Sequence, residues 1–107
     1  MAQQASGFAI VGIAVWLRLD TKGRCENIGV GVTGLGEKPF RATAVEERLR
    51  GNKLTPKLLE QSAAQVTEGR EPLEDLHASA KFRVHLAQVY TSRALQEAMK
   101  RAMARKT

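Results

Sequence analysis

Residues 8–33 read FAIVGIAVWLRLDTKGRCENIGVGVT, and they carry the strongest structural signal in the chain. Residues 8–19 are rich in β-branched and aromatic types, and residues 24–33 repeat apolar side chains at every second position. Between them, residues 20–23 form a turn sequence in which Gly23 can adopt the positive φ of a tight hairpin. The alternating apolar residues are Val15, Leu17 and Leu19, then Ile28, Val30 and Val32. The pattern predicts two antiparallel strands that share one buried face, with glycines on the opposite face of the second strand.

Beyond this hairpin the apolar spacing changes from the period of a strand to that of a helix. Residues 34–38 form a loop, and residues 39–41 suit a short third strand because proline is tolerated at a strand start. A short helix is predicted from Ala42, since Val45 and Leu49 lie four apart with charged residues between them. Gly51 is its natural stop.

Two further helices complete the predicted order. Thr55 can cap a helix that begins at Pro56 and ends at Gly69. Its buried stripe is predicted to be Leu59, Ser62, Ala63 and Val66. Residues 70–78 form a polar connection with room for one helical turn at Leu73, and the last helix begins near Ser79 and runs for about 25 residues. The apolar side of that helix is predicted to be Phe82, Leu86, Val89, Tyr90, Ala94, Leu95, Ala98 and Met99.

This order of elements defines the expected fold class. Strands followed by helices indicate an α+β fold, here an antiparallel sheet of three to four strands with three helices packed on one face. The length of 107 residues suits a single domain over residues 1–107.

The positive charge of the chain is concentrated near its end. The formal net charge is +6, and the four basic residues of the segment 100–106 leave only +2 for residues 1–99. Cations in the last turns of a helix interact favourably with its dipole, so a solvated helix end is favoured over nucleic-acid binding. The longest apolar run, residues 8–17, is shorter than the roughly 20 residues that cross a bilayer. We therefore expect a cytoplasmic protein whose partners are neither nucleic acids nor membranes.

The sequence contains no complete set of catalytic or ligand-binding residues. Cys25, the one cysteine, has no second ligand at a zinc-site spacing. Residues 29–34, GVGVTG, match G-x-G-x-x-G, but no helix is predicted to begin within them, so they are interpreted as close-packing glycines. Asp75, His77 and Ser79 bring together triad residue types without a nucleophile elbow or an oxyanion donor. No catalytic, cofactor-binding or metal-binding residue is therefore assigned.

Four residues are candidates for contact with another domain. Arg83 and Arg93 could each form paired hydrogen bonds to a carboxylate of a neighbouring domain, with ordinary solvated arginines as the alternative. Trp16 and Phe40 are candidate exposed aromatic residues at an interface. His85 is expected at the core side or the edge of the last helix, as a structural histidine.

Several short strings, in this order and spacing, resemble one known family. The strings are GFAIVGIA at 7–14, IGVGVTG at 28–34, PFRA at 39–42, SAKFRVHL at 79–86 and RAL at 93–95. Together they resemble the C-terminal domain of the FAD-binding (medium) subunit of molybdenum hydroxylases of the carbon monoxide dehydrogenase and xanthine dehydrogenase type. The likeness extends over nearly the whole chain.

The resemblance implies a noncatalytic role in an electron-transfer enzyme. In such enzymes substrate is oxidised at a molybdenum cofactor, and electrons pass through iron–sulfur clusters to FAD. The flavin is held mainly by two preceding domains of the subunit, so FAD is implied for the complete subunit and not for this domain. The implied partners are the FAD-binding domain of the same subunit and the iron–sulfur and molybdenum subunits. A free-standing interaction module of the same fold and a small basic nucleic-acid-binding protein are the alternatives.

Overall fold

The computed structural model describes residues 10–75 and 78–106, with the side chains of the last helix as far as Ala104. Its elements are β1 (Gly12–Leu19), β2 (Cys25–Thr33), β3 (Phe40–Arg41), α1 (Thr43–Leu49), α2 (Pro56–Ala63) and α3 (Ala80–Lys106). Within those residues the sheet has three antiparallel strands in the order β1-β2-β3. The predicted α+β architecture is confirmed, with three strands followed by three helices. Phe8 and Ala9, which were predicted to open the first strand, lie outside the described residues.

The hairpin has the predicted antiparallel pairing. Val15 lies opposite Val30, and Leu17 lies opposite Ile28, so these side chains share the inner face of the sheet. The first strand begins later than predicted, at Gly12, because Ile10 and Val11 form a bend. β2 contributes one more residue than β1 near the turn, where the register shifts between Arg18 and Leu19.

Asp20 organises the turn between β1 and β2. Its Oδ1 accepts hydrogen bonds from the backbone amides of Lys22, at 2.8 Å, and Arg24, at 2.9 Å. Gly23 has a φ of 82°, the positive value predicted for it. The hydrogen bond from the Arg24 amide is the main reason why the pKa of Asp20 lies below its ordinary value.

α2 begins as predicted and ends earlier. The Thr55 hydroxyl accepts a hydrogen bond from the Leu58 amide at 3.1 Å, and Pro56 is the first helical residue. The prediction that this helix continues to Gly69 is wrong. After Ala63 the backbone tightens into turns, in which the amide of residue 66 donates to the carbonyl of residue 63 at 3.1 Å. The predicted stripe of Leu59, Ser62, Ala63 and Val66 is buried, as expected.

The face with which α3 packs on β1 overlaps the predicted one, since Leu95 and Ala98 are buried as expected. Its fully buried residues are Arg83, Ala87, Thr91, Leu95, Ala98 and Ala102, at spacings of three or four. Phe82 is exposed, so its assignment to the apolar side is wrong. Small side chains along the contact let the helix approach the sheet closely, and most of the larger predicted residues flank that stripe half-buried.

The core lies between the inner face of the sheet and the helices. α3 contacts β1, α1 contacts β2, and α2 packs against both α1 and α3. Residues 70–75 contain no helical turn, so the turn considered at Leu73 is not formed; the Leu73 amide instead donates to the Leu35 carbonyl at 2.7 Å. Among the described residues, no helix is both long enough and apolar enough to cross a membrane.

Candidate docking face

The outer face of the sheet, opposite the helices, is open in the part of the chain that the structure describes. Ala14 lies opposite Gly31 and Trp16 lies opposite Gly29 on this face. Ala14 and Arg18 are exposed, and Trp16 is one of three large hydrophobic residues exposed within the described ranges, with 56% of its surface accessible. An exposed tryptophan on an uncovered sheet face is typical of a contact surface.

Glycines shape the floor of a shallow groove beside Trp16. A Cβ on Gly29 would lie 2.9 Å from Cε2 of Trp16, so glycine is what lets the indole lie against the β2 backbone. A Cβ on Gly31 would meet nothing closer than the Ala14 carbonyl oxygen, at 3.9 Å. The resulting groove has a volume of about 380 Å³ and reaches from Trp16 to Arg41. Its floor is largely backbone and small side chains, which suits close approach by another chain.

Arg41 forms the far side of the groove and is held by a buried carboxylate. Arg41 lies opposite Gly31 in the β2–β3 ladder, which places it on the outer face. Its Nε and Nη2 donate to the two carboxylate oxygens of Glu46 at 3.0 and 2.9 Å. Oε2 of Glu46 also accepts from the Val30 amide at 2.9 Å. Only 3% of the Glu46 side chain is accessible, compared with 63% of the Arg41 side chain, so a buried anion orients an exposed cation.

Neither Arg41 nor Glu46 was among the predicted interface residues. A sequence signal for Glu46 was present, because Ala42, Val45, Glu46 and Leu49 follow the i, i+3, i+4, i+7 spacing of a buried helix face. Charged residues in α1 were instead interpreted as exposed positions between apolar ones. A buried glutamate on such a face requires a donor, and Arg41 is the donor in the preceding strand.

Phe40 does not lie beside Trp16. It pairs with Val32, whose side chain is on the inner face, and it is half-buried against the core. The guanidinium carbon of Arg70 lies 4.0 Å from the centre of its ring. The two predicted aromatic residues are therefore on opposite faces of the sheet.

Arg83 makes its ion pair within the chain. Its Nη1 donates to the Gly34 carbonyl at 2.8 Å, and its Nη2 donates to Oδ1 of Asp75 at 2.9 Å. Only 6% of the Arg83 side chain is accessible. Within this chain a carboxylate is supplied to Arg83 by Asp75, eight residues earlier. Arg83 joins the loop after β2 to the segment before α3, which gives it a structural role that its sequence position did not reveal.

The predicted triad residue types have structural roles or lie outside the described part of the chain. Asp75 is the partner of Arg83 and also accepts from the Ala78 amide at 3.2 Å. The Ser79 hydroxyl accepts from the Phe82 amide at 3.1 Å, as a helix cap does. His77 lies outside the described residues.

Arg93 is exposed on a separate surface. It lines a groove of about 410 Å³ between α2 and α3, together with Glu60, His85 and Gln88. His85 is exposed at this edge of α3 rather than buried on its core side. Arg93 is therefore available to a partner, but not at the same place as Trp16.

The glycines at 29–34 do not form a dinucleotide-binding loop. Gly29 and Gly31 lie inside the antiparallel strand β2, and the chain continues from Gly34 into a loop, whereas a pyrophosphate site needs a helix that begins at these glycines. Gly34 has a φ of 82°, and a Cβ there would lie 3.0 Å from the carbonyl carbon of Ile10. The interpretation as close-packing glycines is confirmed for Gly29 and Gly34, whereas a Cβ on Gly31 would make only an ordinary contact.

The described residues contain no group of three or more His, Cys, Asp or Glu side chains placed to hold a metal ion. Cys25 is buried, and this burial raises the pKa of its thiol.

Comparison with solved structures shows the same architecture in larger oxidoreductases. Quinoline 2-oxidoreductase from Pseudomonas putida 86 superimposes with a TM-score of 0.82 at 29% identity, over 89% of this chain and 33% of the matched one. A carbon monoxide dehydrogenase from Hydrogenophaga pseudoflava superimposes with a TM-score of 0.83 at 28% identity, over 94% and 35%. The chain thus corresponds to about a third of each matched chain.

Sequence comparison gives the same assignment. The glyceraldehyde dehydrogenase medium chain of Sulfolobus acidocaldarius is 31% identical over 98 residues, which are 91% of this chain and 34% of the relative. The family model for the CO dehydrogenase flavoprotein C-terminal domain matches residues 1–98. The resemblance inferred from the short strings is therefore confirmed, and the chain belongs to the family of CO dehydrogenase flavoprotein C-terminal domains.

Proposed function

We propose that this chain is the noncatalytic C-terminal domain of the FAD subunit of a molybdenum hydroxylase. In this proposal it packs on the flavin-binding part of the same subunit and helps to dock that subunit against the iron–sulfur and molybdenum subunits. The family match supports membership in such a subunit, since one relative is a dehydrogenase medium chain and one structural neighbour is described as a Cu,Mo-CO dehydrogenase. FAD belongs to the rest of the subunit in this proposal, because residues 29–34 do not have the geometry of a pyrophosphate cradle.

The exposed outer face of the sheet is the main support for the proposal that this domain packs on the flavin-binding part. The helices cover the inner face, whereas Trp16 remains 56% accessible above a floor of glycines. Covering an indole of this size removes a large apolar area from water, and tryptophan and arginine are the side chains most enriched at the energetic centres of interfaces. Arg41 is already fixed by Glu46, so it loses little rotamer freedom when a partner binds.

The coding sequence provides the first test. An upstream flavin-binding domain in the same reading frame supports the proposal, whereas an isolated reading frame supports the free-standing interaction module. The purified 107-residue chain should also show no flavin absorption band after incubation with FAD and gel filtration. Binding of one FAD per chain would contradict the noncatalytic assignment.

A calorimetric titration tests the docking face itself. The flavin-binding part, produced separately, is titrated with this chain and with its Trp16→Ser variant. We expect the substitution to weaken binding by about 2 kcal/mol, since Trp16 is the central apolar residue of the face. Phe82→Ser is the matched control, because Phe82 is also an exposed aromatic residue but lies at the start of α3. Equal affinities for the wild type and the Trp16→Ser variant would exclude this face as the contact.

A further inference from the structure

A second groove lies at the turn end of the molecule, where the hairpin, the loop before α2 and the end of α3 meet. We call it the methionine groove. Its volume is about 260 Å³, and it is lined by Leu19, Gly23, Lys53, Leu54, Met99 and Met103. Leu19 follows the inner-face residue Leu17 at period two, so the methionine groove opens on the helix side of the sheet, away from Trp16. It is therefore independent of the docking face in the proposed function.

The floor of the methionine groove is apolar and adaptable. Leu19, Leu54 and Met99 are half-buried and pack against the core. Met103, one turn after Met99, has 55% of its surface accessible. Unbranched methionine side chains adjust to differently shaped apolar partners, which is why they recur at surfaces that bind peptides.

The methionine groove carries positive charge at Lys53, and two further exposed lysines are close in sequence to its lining residues. Lys53 lines it, Lys22 precedes the lining residue Gly23, and Lys100 lies three residues before Met103 on the same side of α3. Among the described residues, the ion pairs involve none of these three lysines. The carboxylate of Asp20 in the same turn is 3.4 Å from Nε of Arg24 and also accepts from turn amides.

We infer that the methionine groove binds an acidic peptide segment of another protein chain. The segment places a bulky apolar side chain against Met99 and Met103 and a carboxylate near Lys53. Charge complementarity selects this occupant, because a second copy of the chain would bring like charges together. A nucleic acid is bound mainly through its phosphates and would not use the apolar floor of the groove. A concave groove also fits a protruding side chain better than a flat lipid surface.

The methionine methyl groups provide a direct readout. Labelling with 13C-methyl methionine gives one signal from each of the groove residues Met99 and Met103. The probe is a synthetic amphipathic helical peptide with Leu and Phe on one side and Glu on the other. We expect saturable shifts of the Met99 and Met103 signals. The same peptide with Lys in place of Glu should shift neither.

Charge-reversal variants locate the binding. Lys53→Glu should weaken binding of the acidic peptide by about tenfold, because it replaces attraction at the rim by repulsion. Lys81→Glu makes the same charge change on an exposed lysine at the opposite end of α3 and should leave the affinity unchanged. Both lysines are exposed, and circular dichroism spectra of the free variants that match the wild type verify their folds.

Three outcomes would overturn the inference. The first is the absence of any Met99 or Met103 shift with the acidic peptide, and the second is equal binding of the acidic and basic peptides. The third is broadening of these signals by phosphatidylglycerol vesicles without a peptide response, which would assign the groove to a lipid surface. None of these results bears on the Trp16 titration, so failure here is distinguishable from failure of the proposed function.

Discussion

The two arginine–carboxylate pairs at Arg41 and Arg83 have opposite arrangements of burial. In one, Glu46 is buried and Arg41 is 63% accessible; in the other, Arg83 is buried and Asp75 is 44% accessible. The buried member of each pair connects segments of the fold, through the Val30 amide in the first case and the Gly34 carbonyl in the second. The exposed member is the one that a partner can reach. Residue type alone therefore does not identify an interface arginine, because burial decides which end of the pair is presented.

Removing Arg83 is expected to have the largest effect on stability. The Arg83→Ala substitution leaves the Gly34 carbonyl without this donor and opens a cavity beneath the loop after β2. We expect the free energy of unfolding to fall by about 3 kcal/mol, measured by urea denaturation. Arg93→Ala, which removes an exposed arginine from the same helix, should change it by less than about 0.5 kcal/mol. Similar losses in both variants would refute the distinction between the two arginines.

Removing Glu46 should have the second-largest effect. The Glu46→Ala substitution deprives the buried Val30 amide of its acceptor and frees Arg41 from its fixed position. We expect a loss of about 2 kcal/mol in the free energy of unfolding, since the exposed guanidinium can still be solvated. Glu47→Ala is the control, because the neighbouring glutamate is exposed. A loss no larger than that of the control would show that the Glu46 contacts do not stabilise the fold.

Removing Arg41 should separate stability from docking. The Arg41→Ala substitution takes the bidentate donor away from the buried Glu46 carboxylate, which keeps the Val30 amide and the Arg50 guanidinium at 3.7 Å. The free energy of unfolding should therefore fall by about 2 kcal/mol, no more than in Glu46→Ala. Binding to the flavin-binding part should weaken by about 1–2 kcal/mol if Arg41 is presented to that partner. Calorimetric titration and urea denaturation of the same variant measure the two effects. Full affinity in the Arg41→Ala variant would remove this arginine from the docking face.

The smallest expected effect on stability is a pH dependence that arises from Asp20 in the hairpin turn. Because the folded-state pKa of Asp20 is lowered, its ionised form stabilises the fold above the ordinary pKa of aspartate. This contribution is lost as the pH falls through the folded-state pKa. The difference in the free energy of unfolding between the wild type and Asp20→Asn should therefore decrease as the pH falls from the ordinary aspartate pKa to the lower pKa of folded Asp20. Thermal unfolding of both chains over that range measures it, and a constant difference would contradict the role of the carboxylate.

The hairpin was predictable from local patterns, whereas the buried polar pairs were not. Alternation at Val30 and Val32 fixes which face of β2 is buried, and a one-residue slip would expose every apolar side chain. The spacing of apolar residues alone could not identify the contact face of α3. Arg83 is buried although arginine is normally at the surface, and the adjacent Phe82 is exposed. That choice depends on Gly34 and Asp75, which meet Arg83 only after folding.

Of the two aromatic residues predicted at an interface, only Trp16 lies on the outer face of the sheet. Trp16 was identified because it alternates with the inner-face residues of β1, and the structure places it on the outer face. Phe40 was assigned to the same kind of surface, although a two-residue edge strand gives no reliable alternation. Its pairing with Val32 puts it on the inner face.

The central claim, that the outer face of the sheet is covered by the flavin-binding part of the subunit, is tested most directly at Trp16. It is the one tryptophan in the chain, so labelling with 5-fluorotryptophan gives a single fluorine signal even when the partner contains tryptophans of its own. Adding the unlabelled flavin-binding part should shift this signal and abolish its sensitivity to replacement of H2O by D2O. A complex that forms while the Trp16 signal keeps its position and its solvent sensitivity would show that the outer face of the sheet is not the contact.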